Sequence, residues 1–394
     1  MVSTPPVPGL RALVALVSAI VLCDTIFYSA ITPLLPTYAD EHGLGKTGAG
    51  ILEASYAAGT LIAAIPAGML AARAGVRTTV FAGLALFAVS SFVFGVADSI
   101  VLLDLARFLQ GVGGACSWAG ALAWLVGAAP AQRRGELIGT AMGAAIVGAL
   151  LGPALGALAE GLGTAPVFSL AAVLAAILAT IAMRIPVPES TGTADPRHLA
   201  RAARDGRVLG GVALVSLPGV LFAAIGVLGP LRLDELGASS LAIGATFVAA
   251  SALEAICSPV VGRLSDRHGR VAPIRAGLLC AVPVLVVLPH PTIAWVVAAL
   301  IILVAPAIGA SWAPAMAMLA DGIEARGVNV AVGFSLMNAA WGIGHVLGGA
   351  GGGSIADALG DVAAFAALAA LCLAIALVLV RARGLELRAS EAAA

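Results

Sequence analysis

The chain has 394 residues, 61% of them hydrophobic and only 11% charged, and its 21 basic and 21 acidic side chains leave a formal net charge of zero. A mean hydropathy of +1.06 puts most residues in lipid rather than around a water-soluble core, which excludes a soluble enzyme. No cofactor, metal or nucleic-acid partner is expected: Cys23, Cys116, Cys257, Cys280 and Cys372 sit singly without C-x-x-C spacing, Gly45-Lys46-Thr47 has Asp40 where a phosphate loop needs its first glycine, and no H-E-x-x-H occurs.

A helix crosses the bilayer with about 20 apolar residues. In chain order, such stretches fall at 10–38, 47–71, 77–97, 99–128, 134–161, 164–184, 207–233, 238–264, 271–289, 292–320, 327–356 and 361–381. The first is expected to stay in the protein, because the residues before it carry Pro5, Pro6 and Pro8 without a basic n-region and the apolar run is too long for a signal peptide. Between the sixth and seventh spans, residues 185–206 carry Pro186, Pro188, Pro196 and a scatter of arginines and read as a cytoplasmic linker. The expected fold is an all-α membrane protein of twelve transmembrane helices in two pseudo-symmetric six-helix bundles, residues 1–184 and 207–394.

The halves repeat one another. Gly68-x-Leu70-x-x-Arg73-x-Gly75 recurs as Gly262-x-Leu264-x-x-Arg267-x-Gly269, Ser117-Trp118 recurs as Ser311-Trp312, and Gly148, Gly152 and Gly156 recur as Gly344, Gly348 and Gly352. Parallel repeats of this kind build many secondary transporters. Numbering the loops alternately leaves Lys46 and Arg232 on one side and Arg107 inside a span; the remaining basic residues, Arg73, Arg77, Arg267 and Arg270 among them, lie on the other. The positive-inside rule then places both termini in the cytoplasm of a cell-membrane protein.

The charges inside the spans do not repeat. Asp24 has Pro218 at its counterpart, Arg107 has Ile301, Glu53 has Phe247, and Glu254 has Thr60. An intramembrane Asp or Arg costs roughly 2.5–3.5 kcal/mol on insertion scales, so these four are either functional or neutralised in static ion pairs, Arg107 by Asp24, Glu53 or Asp104. A midplane carboxylate whose protonation responds to a nearby Arg107 is a proton switch. Around it stand aromatic side chains: Tyr28 at i+4 from Asp24, Tyr56 at i+3 from Glu53, and Trp118 and Trp312 at matching depth. Trp341, with Asn338 and His345, forms a polar stripe on the eleventh span. A net-negative, aromatic-walled cavity suits a lipophilic cation.

At this point the residues resemble the major facilitator superfamily, in its twelve-helix drug:proton antiporter branch, which also contains vesicular monoamine transporters. Gly262-Arg-Leu-Ser-Asp266-Arg267-His-Gly269-Arg270 resembles the family's loop signature, and Gly68-Met-Leu-Ala-Ala72-Arg73-Ala-Gly75-Val-Arg77 is its first-half copy with Ala72 replacing the usual acid. Asp104-Leu-Ala-Arg107-Phe-Leu-Gln110-Gly111-Val-Gly113-Gly114 resembles the fourth-helix motif linked to proton coupling. Gly148-Ala-Leu-Leu-Gly152-Pro153-Ala-Leu-Gly156 resembles the fifth-helix antiporter motif. The four-spaced glycines allow close helix approach and Pro153 a bend, serving plain packing or a moving interface. Asp266 beside its basic cluster suggests a charge latch at the cytoplasmic face.

The resemblance implies a proton-coupled exporter of small lipophilic, cationic compounds by alternating access, acting as a monomer in the bilayer without ATP. Asp24, Arg107 and Glu53 would couple protons; Asp24, Tyr28, Glu53, Tyr56, Trp118, Glu254, Trp312, Asn338, Trp341 and His345 would bind substrate. The monoamine branch carries an acid in the seventh span, where this chain has Gly226 four residues before Pro230. Two other readings remain: an exporter of a neutral metabolite such as a sugar or amino acid, and a membrane-embedded enzyme or sensor.

Overall fold

The computed structural model describes residues 9–130, 133–187, 205–324 and 330–392. Pro188, Pro196, the linker arginines Arg197, Arg201 and Arg204, and Arg326 lie outside the described residues. The elements among the described residues are all helical: α1 (Leu10–Ser29), a short 3-10 turn (Thr32–Leu34), α2 (Leu35–His42), α3 (Lys46–Ala74), α4 (Val76–Val96), α5 (Ile100–Ala128), α6 (Arg134–Leu162), α7 (Thr164–Arg184), α8 (Gly206–Glu235), α9 (Ser240–His268), α10 (Val271–Val287), α11 (Ala294–Gly309), α12 (Trp312–Glu324), α13 (Val330–Val346), a π-turn (Leu347–Gly351), α14 (Gly352–Leu359) and α15 (Asp361–Ala392).

Ten helical stretches among the described residues are long and apolar enough to cross a bilayer, and Val271–Val287 is a shorter apolar helix. Three expected spans are composite, the first because it runs from α1 through the 3-10 turn into α2. The tenth bends at Ala310 and Ser311, between Pro306 and Pro314, and the eleventh is interrupted by the glycine-rich π-turn. Exposed apolar side chains such as Leu162, Val173, Ile256 and Val378 form a surface that only lipid tolerates.

The repeated motif explains how consecutive helices turn. Gly75 (φ 89) is the single residue between α3 and α4, and its counterpart Gly269 (φ 80) opens the turn from α9 to α10; Gly163 (φ 91) and Gly360 (φ 86) repeat this between α6 and α7 and between α14 and α15. A left-handed backbone at so tight a reversal favours glycine over any residue with a Cβ. Elsewhere side chains cap the starts: the Ser99 hydroxyl accepts the Leu102 N–H, Ser239 accepts that of Ala242, and Asp205 accepts those of Arg207 and Val208.

Packing repeats as well. In the first bundle α1 lies on α6, α3 on α5 and α4 on α7; in the second, α8 lies on α13, α9 on α11 and α10 on α15. The two bundles meet along α3 with α13 and along α6 with α9, a pair of contacts that the repeat interchanges.

Candidate functional site

The site grows from the crossing of α3 and α5. A Cβ at Gly59 would overlap the Phe108 carbonyl and one at Gly111 the Tyr56 carbonyl, so glycine at both positions lets the backbones touch. Thr60 ties the crossing by donating to the Gly111 carbonyl at 3.2 Å. Glu53 and Tyr56 are thereby set beside Arg107.

Arg107 is fully buried. Its guanidinium donates to the Tyr28 carbonyl (3.2 Å), the Phe27 carbonyl (3.5 Å) and Gln110 Oε1 (3.2 Å), and its Nη2 lies 3.8 Å from Glu53 Oε2. The cation also lies over the rings of Tyr56 (5.1 Å) and Tyr28 (5.6 Å). Tyr28 completes the loop by donating its hydroxyl to Glu53 at 3.2 Å, and Gln110 is fixed from behind by Ser91 at 3.0 Å. The partner of Arg107 is therefore Glu53; Asp104 accepts instead from Ser55 at 3.5 Å.

Asp24 is held differently. Tyr56 hydroxyl and Trp118 Nε1 both donate to its Oδ2 at 2.8 Å, while its buried Oδ1 has no partner. Room for that free oxygen comes from Gly114, where a Cβ would stand 2.9 Å from Oδ1 and would also overlap the Tyr56 hydroxyl. Each carboxylate thus has its own tyrosine, Glu53 alone pairs with Arg107, and Asp24 keeps one acceptor open.

The second bundle closes the aromatic wall. Trp341 and His345 stack at 4.0 Å, His345 Nδ1 donates to the Trp341 carbonyl at 3.0 Å, and Tyr28 meets Trp341 edge-on at 5.2 Å. Gly219 on α8 makes space for the imidazole, since a Cβ there would lie 3.0 Å from Nδ1. The π-turn follows one residue beyond His345, and its Gly348 and Gly349 lie against Val220 of α8 and Gly50 of α3. A π-turn so placed frequently marks a working site.

At the arginine-poor face the bundles are bolted together. Lys46 Nζ lies 2.7 Å from Asp361 Oδ1 and 3.0 Å from Glu235 Oε1, and Asp357 accepts the backbone N–H groups of Lys46 (2.9 Å) and Thr47 (2.7 Å). On the same side Gly244 of α9 abuts the Pro153 carbonyl and Ala157 of α6. Toward the arginine-rich face, Gly135, Gly139 and Gly143 on α6 and Gly262 on α9 have no neighbouring atom within 4 Å of a Cβ position.

The sequence model of the Major Facilitator Superfamily matches residues 17–334 and 219–393. The chain belongs to that superfamily. Quinolone resistance protein NorA of Staphylococcus aureus strain MRSA252 is 28% identical over 109 residues, covering 28% of this chain and 28% of its own. The MFS-type transporter ppzB of Metarhizium rileyi is 31% identical over 161 residues, covering 39% of this chain and 33% of its own. The chain thus aligns with a third or less of the length of these relatives. In fold it is similar to a bacterial homologue of the human lysosomal transporter Spinster, solved inward-facing and unoccupied, at a TM-score of 0.71 with 15% identity over 95% of each chain. A mutant of the nucleoside transporter NupG gives 0.71 and 14%, over 95% of this chain and 98% of its own.

Within this facilitator the expected residues divide. Asp24, Tyr28, Glu53, Tyr56, Arg107, Trp118, Trp341 and His345 converge. Glu254, Trp312 and Asn338 join them through no hydrogen bond, ion pair or ring contact among the described residues. Asp266 is exposed and makes no ion pair among the described residues; the pair at that corner is Arg270 with Asp321. Arg73 and Arg267 are exposed, whereas Arg77 donates to the Ile185 carbonyl and lies over Trp124. Gly148, Gly152 and Gly156 pack α6 on α1 and its C-terminal end, at Thr25, Ser29 and Ala30, rather than on the other bundle, whereas the Pro153 carbonyl lies against Gly244 of α9. Gly68 faces Ser335 of α13. The latch of Lys46 and Asp357, and the supports Gln110, Ser91 and Gly114, lay outside the expected site, although Gln110 and Gly114 stand within the fourth-helix motif.

Proposed function

We propose that this facilitator is a proton-coupled exporter of small lipophilic cations, with Asp24 as the exchange site. The observation that carries the reading is the free, buried Oδ1 of Asp24 inside a wall of Tyr28, Tyr56, Trp118 and Trp341. A proton or a substrate ammonium satisfies that oxygen, and the aromatic faces favour a cation over a neutral solute. Asp24 and Glu53 against Arg107 leave the cluster one negative charge in excess when both acids are ionised, so one bound cation balances it. The similarity to a quinolone resistance protein supports a drug-like substrate.

The two bundles, 1–184 and 207–394 joined by residues 185–206, rock about this site, and a single chain suffices. With the arginine-rich face in the cytoplasm of a cell-membrane protein, the latch of Lys46 seals the outer side and the open glycines of α6 and α9 lie inward. This is the conformation in which an exporter receives its load. One charge crossing 100 mV gains roughly 2.3 kcal/mol, so no nucleotide is needed.

Reconstitution into liposomes with an imposed pH gradient tests the reading, using a panel of lipophilic cations, neutral sugars and amino acids, and anions. Cation movement driven by the gradient is expected. Movement of neutral solutes alone would replace it with a neutral-metabolite exporter.

A further inference from the structure

Glu254 is the central residue of α9, a helix long and apolar enough to cross a bilayer, and shares no hydrogen bond or ion pair with the Asp24 cluster among the described residues. Its carboxylate rests against Gly309, where a Cβ would stand 2.6 Å from Oε1 and from Cγ. Gly309 is the last residue of α11, and the helix resumes only at Trp312. Pro314 has no N–H to bond the Ala310 carbonyl, and Ser311 bonds back to Ile308 rather than Ala307, so the break leaves backbone acceptors without their usual donors. An acid has therefore been placed, with room made for it, where a polar helix break meets the membrane interior.

No hydrogen bond or ion pair to Glu254 is formed among the described residues. Charged groups on the packed helices are remote in position: Arg134, Glu136 and Glu160 sit in the end turns of α6, Arg275 near the start of α10, and Asp321 and Glu324 near the end of α12; those of α8 sit in its first and last turns, and α11 has none, while the Cys280 thiol, midway along α10, is exposed. Ionised, the carboxylate has no donor. Protonated, it gains one, and the freed carbonyls of the break are acceptors suited to it.

We infer that Glu254 is a second proton-binding site, carried by the second bundle and independent of Asp24. Only an O–H bond forms and breaks: the proton enters from water on one side of the membrane and leaves to water on the other as α11 and α12 adjust at their joint. This deepens the proposed exporter, which then moves two protons per cycle, one in each bundle.

The test is infrared difference spectroscopy of the purified protein in lipid, stepping pH and reading the carbonyl stretch of protonated carboxyl groups. Wild type should show a titrating band that is absent in Glu254→Gln, retained in Asp24→Asn, and restored at a shifted position in Glu254→Asp. Gly309→Ala, which leaves the acid but fills its space, should move the same band and serves if Glu254→Gln does not fold. In proteoliposomes, the protons moved per substrate should fall by one in Glu254→Gln. A band unchanged in Glu254→Gln, or abolished by sodium at fixed pH, would overturn the inference. Absence of any cation transport by wild type with the band intact would instead count against the exporter reading alone.

Discussion

Asp357 of the second bundle caps the first turn of α3 by accepting the backbone N–H groups of Lys46 and Thr47. The residue at the helix's own cap position, Gly45, has no side chain to do so, and a Cβ there would stand 2.7 Å from Asp357 Oδ2. The cap exists only while the arginine-poor face is closed, so it ties a local need of one helix to a global state of the transporter. Asp357→Ala should weaken closure by about 1 kcal/mol, a roughly fivefold shift in population. Distances between spin labels across that face should lengthen correspondingly; an unchanged distribution would contradict the role.

The same cap should respond to acid. Slight burial of Asp357 works against its ionisation, but hydrogen bonds from Thr47 and the Lys46 backbone, with the Lys46 charge, outweigh it and hold the carboxyl below the usual carboxylate range. The ionised form is the one that caps. Its contribution to closure is complete above the ordinary carboxylate range and is lost as pH falls through the depressed value. Label distances followed in an acid titration should widen there in wild type and not in Asp357→Asn.

Lys46 adds ion pairs to that cap. A double-mutant cycle on Lys46→Met and Asp361→Asn, read as label distances, should give a coupling of about 1 kcal/mol, toward the upper end for a partly exposed pair because Asp361 is largely shielded. Additive effects would mean that the pair contributes nothing to closure.

Arg107 and Glu53 should behave as a unit. Breaking a buried pair by Arg107→Met leaves Glu53 unpaired in the bundle and should cost about 3–5 kcal/mol. Removing both charges, as Arg107→Met with Glu53→Gln, should restore part of that loss. Thermal unfolding of the purified variants in one detergent reads both; a double variant no more stable than Arg107→Met would remove Glu53 as the partner.

Much of the fold was legible because its causes are local. Gly75 and Gly269 could be read as turns since a tight reversal with positive φ asks for glycine, and the repeat of the motif fixed the doubling. The location of Asp24 at mid-span was legible for the same reason. Partnership was not. Asp24 and Glu53 both carry a carboxylate in reach of a midplane arginine, and only the glycine-mediated crossing of α3 and α5 assigns Arg107 to Glu53 and leaves Asp24 to Tyr56 and Trp118. The cap from Asp357 to Lys46 spans most of the chain, and no periodicity encodes it. Gly148, Gly152 and Gly156 signalled close packing correctly but could not say that α1 is the helix they receive.

The most direct measurement of the central claim is proton release on substrate binding, followed with a pH indicator in weakly buffered, purified protein at the midpoint of its titration. If Asp24 Oδ1 holds either a proton or a cation, addition of a saturating lipophilic cation should release protons from wild type, and Asp24→Asn, folded to the same size and thermal stability, should release none from this site. Equal release from both proteins, or cation binding to wild type with no release at any pH, would contradict the account.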